Sequence, residues 1–316
     1  MRECVAVIGS GMMGSSIGAM SALAGRKTFL IDINKEKAQA GRERALECIR
    51  VRAQNGLNTE KEAKEAADRL LCCEKIEEAA DETGLVIEAI VEKMEAKQEL
   101  FARLDALFPP EVFLCSNTSG LRITDISARC SHPERTVTTH FWLPGHLVPL
   151  VEVVMGDRTE EAVARKVRDE LKRWKKMPVL VKRDLPGQLA NRILQAIIRE
   201  AVDIVGSGLA SPEDVDAGIR YGMAMRFPEW GPLEHLDAIG LDLGLAVQES
   251  VLPDICGDKE PGAYLRRLVE EGHLGVKSKK GFYDWERHDI EKDIKKRDQF
   301  IIEAVKLVNK LDGGEA

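Results

Sequence analysis

Short, unbroken apolar runs recur through the first half of the chain, set between stretches whose apolar residues fall every three or four positions. Val5-Ala6-Val7-Ile8, Thr28-Phe29-Leu30-Ile31, Leu85-Val86-Ile87 and Val112-Phe113-Leu114-Cys115 lack the alternation of a strand with one wet face. They therefore predict strands buried on both faces. Helices are expected between them at 12–25, 35–55 and 93–107. Further strands are expected at 136–141, 150–154 and 178–181, with a helix at 159–174 before the last. This β-α-β alternation predicts an α/β fold built on a doubly wound, mostly parallel sheet.

After Asp184-Leu185-Pro186-Gly187 the period changes. Leu189, Ile193, Ile197, Ala201 and Ile204 follow the helical spacing, and Ser211-Pro212 opens another helix with Ser as N-cap. Helical stretches continue to about residue 272 without a convincing strand. Two domains are expected, an α/β domain over 1–184 and an all-helical one over 185–316. The charged tail from 289 carries Ile290, Ile294, Phe300, Ile301, Val305 and Val308, the marks of a docked helix.

A chain of 316 residues, 44% hydrophobic and 31% charged, is long enough for two cores and argues against disorder. Its net charge of −7 disfavours nucleic acid and anionic membrane as partners. No apolar stretch approaches a membrane span, and Met1-Arg2-Glu3 runs straight into a strand without a signal peptide. Seven cysteines, an odd number with no C-x-x-C, read as reduced thiols of a cytoplasmic protein rather than a disulfide framework or zinc site. Cys72-Cys73 is most simply part of a buried strand.

Candidate chemistry begins at Gly9-Ser10-Gly11-Met12-Met13-Gly14, a G-x-G-x-x-G motif between a strand and a helix. There Gly9 permits a tight turn, Gly11 lets backbone approach a pyrophosphate, and Gly14 lets helix and strand pack closely. The diphosphate would sit at the positive end of the helix, which Met12 and Met13 open. Asp32 ends the next strand, twenty-one residues after Gly11, where a carboxylate can accept from ribose hydroxyls and repel a 2′-phosphate. A Rossmann-type domain binding NAD rather than NADP is expected. The motif also admits FAD or a regulatory NAD sensor.

The second informative region is Thr139-His140-Phe141-Trp142-Leu143-Pro144, followed by Pro149-Leu150-Val151-Glu152-Val153-Val154. On adjacent strands Glu152 can reach the His140 imidazole. A neutral imidazole can take the hydroxyl proton of an alcohol undergoing hydride transfer, while the carboxylate fixes its tautomer. A buried, hydrogen-bonded histidine with no chemistry gives the same spacing.

These motifs, together with Ser116-Asn117-Thr118-Ser119, Pro186-Gly187 with Asn191-Arg192, and Gly281-Phe282-Tyr283, resemble the L-3-hydroxyacyl-CoA dehydrogenase family over nearly the whole chain. The resemblance implies an N-terminal NAD-binding domain and a C-terminal helical domain that forms a homodimer. It implies His140 as catalytic base with Glu152 as its partner, and Ser119 and Asn191 as polar groups around the substrate oxygen. Asp32, Glu92, Lys97, Ser119 and Lys277 match positions near NAD. Taken singly, Glu92 and Lys97 could be the solvated opening of a helix.

One position departs from the family: its Asn after His-Phe-x is Leu143 here, which offers no amide. His146 could substitute, although an exposed loop histidine is the simpler reading. Pro149 is similar to the gulonate and carnitine dehydrogenase branches, whose substrates are free hydroxy acids. The helix after Asp32 carries Lys35, Lys37, Arg42, Arg44, Arg50 and Arg52 against Glu36, Glu43 and Glu47. That is either a surface for CoA phosphates or a solvated charged face. The expected activity is NAD-dependent oxidation of a small-molecule substrate, an L-3-hydroxyacyl-CoA. The alternatives are a free 3-hydroxy acid and a non-catalytic NAD-binding structural role.

Overall fold

A computed structural model describes residues 3–311. Eight strands, β1 (Cys4–Ile8), β2 (Lys27–Ile31), β3 (Leu70–Cys73), β4 (Thr83–Glu88), β5 (Phe113–Ser116), β6 (Thr136–Phe141), β7 (Leu150–Val154) and β8 (Met177–Val181), form one sheet. Their spatial order is β3-β2-β1-β4-β5-β6-β7-β8. Every neighbouring pair is parallel except β6 and β7. Around the sheet lie α1 (Met12–Leu23), α2 (Lys35–Gln54), α3 (Glu60–Arg69), α4 (Met94–Leu107), α5 (Ile123–Ile126) and α6 (Glu161–Arg173).

The apolar runs are buried on both faces. Along β1, Val5 and Val7 enter one core with Leu30, Leu85 and Ile87, whereas Cys4, Ala6 and Ile8 enter the other with Phe29, Ile31 and Val86. This accounts for strands without polar alternation. The strand order reverses beside β1, which lies between β2 and β4, and crevices at such switch points are where α/β sheets take ligands. Buried ion pairs tie the layers: Arg135, ahead of β6, pairs with Asp105 of α4 at 2.8 Å and donates to the carbonyls of Asp105 and Phe108.

The chain divides into two compact units, residues 1–190 with 298–316, and residues 191–297. The second holds α7 (Ala190–Gly206) from Asn191 on, then α8 (Pro212–Ala217), α9 (Pro232–Ile239), α10 (Leu241–Val251) and α11 (Ala263–Glu270), and no multi-residue strand among its described residues. The tail forms α12 (Ile290–Leu311), which from Asp298 groups with the first unit.

Candidate active site

Gly9 and Gly14 are glycine for steric reasons. Gly9 has φ of +89°, and a Cβ there would lie 2.6 Å from the Ala89 carbonyl oxygen; at Gly14 it would lie 1.8 Å from that of Gly9. Gly11, by contrast, faces open space at the N-terminus of α1, whose N-cap makes no side-chain hydrogen bond. The first-turn amides and the exposed Gly11 and Met12 thus leave a cradle of donors for an anionic group. Asp32 follows β2, where Oδ2 accepts from Ser10 N and Ser10 Oγ, both at 2.8 Å, and Oδ1 accepts from Ile33 N. Burial pushes this carboxyl up, but those bonds and the Lys37 charge prevail and hold it below the usual range.

His140 and Glu152 are direct cross-strand partners in the antiparallel pair, so both side chains leave the same face. His140 Nδ1 lies 2.7 Å from Glu152 Oε2, and His140 Nε2 lies 3.1 Å from Ser119 Oγ. Glu152 is fully buried. Its Oε2 also accepts from the Trp142 indole at 3.0 Å, while Oε1 accepts from the backbone N–H groups of Leu189 and Ala190. Burial alone would raise this carboxyl, yet the four donors outweigh it and lower it from 4.5 to about 2. An ionised carboxylate only accepts, so His140 Nδ1 must donate and a neutral ring keeps its lone pair on Nε2. That is the tautomer a base needs.

Ser119 is held in place by Glu92. The Glu92 carboxylate accepts from the backbone N–H of Ser119 and of Gly120 at 3.1 Å and from Thr118 Oγ1. Lys97 is only 1% exposed, its ammonium bound to Glu88 and 3.3 Å from Glu92. It is no solvated helix residue, and it reaches the site through Glu92 and through Glu88, whose other oxygen accepts from Ser116 Oγ. Asn191 opens the second unit, where its Oδ1 accepts from Gln195; Ala190, the residue before it, bonds Glu152. Lys277 lines an apolar cavity of about 710 Å³ within that second unit, beside Val202, Leu268 and Phe282.

Two features escaped the motif reading. Trp142 sits inside the motif, but its N–H target depends on strand register. Gln188, at φ of +52°, donates to the Thr118 carbonyl. His146 is also not the exposed loop histidine expected: it is half-buried, and burial with the Arg52 and Lys176 charges pushes it down to about 4. Leu143, three residues before it in the chain, is 51% exposed.

Two family models cover the chain: the NAD-binding domain of 3-hydroxyacyl-CoA dehydrogenase over 4–185, and its C-terminal domain over 187–285. The chain belongs to the 3-hydroxyacyl-CoA dehydrogenase family. It is 40% identical to a probable 3-hydroxybutyryl-CoA dehydrogenase of Bacillus subtilis over 284 residues, 89% of this chain and 97% of the relative. It is 31% identical to a 5-formyl-3-hydroxy-2-methylpyridine 4-carboxylate 5-dehydrogenase of Mesorhizobium japonicum, over 90% and 91% of the two chains. Among solved structures, an NAD+-dependent dismutase of that same name superposes with a TM-score of 0.89 at 27% identity, covering all of both chains. A 3-hydroxybutyryl-CoA dehydrogenase of Escherichia coli gives 0.75 at 34% identity, over 91% of this chain and 60% of that one. This member of the family is thus an NAD-dependent oxidoreductase acting on CH–OH groups. The glycine cradle and Asp32 fit NAD: backbone donors meet open space, and a carboxylate stands at the ribose position.

Proposed function

We propose that the chain oxidises an L-3-hydroxyacyl-CoA to the 3-oxoacyl-CoA, a reaction of fatty-acid metabolism, with His140 as general base. The observation that carries this is the buried His140–Glu152 pair, whose outer nitrogen faces Ser119. NAD, when bound, supplies the hydride acceptor. His140 Nε2 takes the hydroxyl proton, and the Glu152 anion stabilises the imidazolium that forms. Ser119 Oγ and the Asn191 amide hold the substrate oxygen. Gly9, Gly11, Met12, Met13, Gly14 and Asp32 hold the dinucleotide; Glu92, Ser119 and Lys277 are its further contacts, and Lys97 acts through Glu92.

A homodimer is part of this reading. In the second unit, Val202 and Leu268 are the only large apolar side chains buried among the described residues, while Leu233, Leu241, Leu245 and Val251 are exposed. Such a surface calls for a partner of like kind. Seven unpaired cysteines support a cytoplasmic setting.

A second reading, a free hydroxy acid as substrate, has specific support. Leu143 replaces the family amide, three arginines of α2 donate to carbonyls of the first unit, and the pyridine-carboxylate dehydrogenase matches along its whole length. NADH formation from matched panels of 3-hydroxyacyl-CoAs and free 3-hydroxy acids decides between them. Saturable turnover of thioesters alone supports the first reading, and of free acids alone the second. His140→Ala should lower kcat by about 10² to 10⁴ and leave NAD affinity nearly intact. Turnover close to wild type in that variant refutes the base.

A further inference from the structure

Trp142 is the one side chain on Glu152 for which the family pattern specifies no residue, because the position after His140-Phe141 is variable in it. Its indole Nε1 donates to Glu152 Oε2 at 3.0 Å, the oxygen that also serves His140 Nδ1 at 2.7 Å. The indole stands beside the imidazole, ring centroids 5.9 Å apart and planes tilted by 56°. An indole N–H donates and never accepts, so this contact exists only with an accepting carboxylate oxygen. The other oxygen is bound by the backbone amides of Leu189 and Ala190, which a change at Trp142 leaves in place.

We propose that Trp142 is a positioning residue for the base, setting through Glu152 how tightly His140 holds a proton. The inference rests on His140 being that base. An oxygen that accepts two N–H bonds shares its negative charge between them. With the indole donor gone, that charge falls on the imidazolium alone and strengthens its charge-assisted bond. His140 is then protonated at higher pH and is unavailable as a base over a wider acid range. Trp142 also fixes the carboxylate plane opposite the two amides, so its loss loosens the imidazole as well.

Trp142→Phe keeps an aromatic ring and removes the donor. In the alcohol-oxidising direction, the low-pH limb of kcat/KM is expected to move to higher pH by about half a unit to one unit. NADH affinity, read by fluorescence titration, should stay within about twofold, since the indole contacts Glu152 and not the glycine cradle. A limb that stays where it was, whether activity is kept or lost, overturns the proposal, because a ring that only packs would not move it.

A second measurement needs no variant at Trp142. In protein labelled with ¹⁵N-tryptophan, four indole N–H signals are expected. One should move on Glu152→Gln substitution and, in the wild type, titrate over the pH range of that limb. Absence of such a signal also overturns the proposal. His140→Ala separates the two levels of the argument. Retained turnover there removes the base and this inference together, whereas an inactive His140→Ala with an unmoved Trp142→Phe limb removes Trp142 alone.

Discussion

Replacing Glu152 by Gln keeps the shape and changes one acceptor into a donor. In the wild type each carboxylate oxygen accepts two N–H bonds, from His140 and Trp142 on one side and Leu189 and Ala190 on the other. A carboxamide turned with nitrogen toward the backbone meets two buried amide donors, each costing about 1–3 kcal/mol when unpaired. Turned the other way it faces the indole donor and His140 Nδ1, and His140 can answer by accepting there. The second placement therefore wins by roughly one such penalty, and it leaves the proton on Nε2. An imidazole in that tautomer cannot receive a proton from an alcohol, so kcat should fall by about 10³ to 10⁴.

Stability gives an independent readout of the same residue. Holding a buried carboxyl at about 2 instead of 4.5 corresponds to about 3 kcal/mol of folding free energy. A depressed carboxyl contributes this above its unfolded value and loses it as pH falls through the folded one. Gln cannot titrate, so the wild-type advantage in urea unfolding should be full near about pH 7 and roughly halved near about pH 3. Steady-state NADH formation and urea midpoints at both pH values test the pair of claims. A kcat within about tenfold of wild type, or an advantage independent of pH, refutes the reasoning.

Arg135→Leu should destabilise the first unit by about 3–5 kcal/mol, because it leaves the buried Asp105 carboxylate without its cation; thermal unfolding measures this. Lys176, buried and near Arg52, is pushed down to about 7 while donating to the carbonyls of Gly145 and Val148. Its folded form sheds the proton before the unfolded form does, so wild-type stability relative to Lys176→Met should rise from about pH 7 toward the free-lysine range, as urea titrations would show. Arg44 donates to the Ser10 carbonyl and Ser15 Oγ in the glycine turn. Arg44→Ala should raise the KM for NAD about tenfold and spare that for a CoA substrate; the reverse pattern in steady-state kinetics would restore a CoA surface on α2.

Strands were legible wherever two cores press on them, because a segment buried on both faces shows no polar position. Helix α3 was not: its sequence, Glu-Lys-Glu-Ala-Lys-Glu-Ala-Ala-Asp-Arg, buries only Ala66, and alanines leave no apolar stripe to detect. The antiparallel turn between β6 and β7 was equally silent, since apolar runs carry no direction. The spacing of His140 and Glu152 survived because adjacent strands convert sequence distance into register. What completes Glu152 did not, because two of its donors are backbone amides thirty-seven and thirty-eight residues away. Backbone donors have no residue type to search for.

The charge of α2 shows a pattern that was visible while its use was not. Arg42 donates to the carbonyls of Ala67 and Leu70, Arg44 to Ser10 O, and Arg52 to His146 O and Asn58 Oδ1, while Arg50 pairs with Glu47. A guanidinium carries five N–H donors, which suits it to loop and helix ends whose carbonyls lack partners. A solvated charged face was one reading of this helix and a phosphate surface the other; Arg52 is buried and serves neither, while Arg42 and Arg44 direct donors at carbonyls of the fold. Lys35 and Lys37, exposed on the first turn, are the α2 cations whose ammonium groups bond no carbonyl or carboxylate among the described residues, and the ones best placed to meet a phosphate. A CoA thioester, if it is the substrate, must draw its phosphate contacts largely from elsewhere, and for that reason Leu143 and the free-acid alternative belong in the first substrate panel.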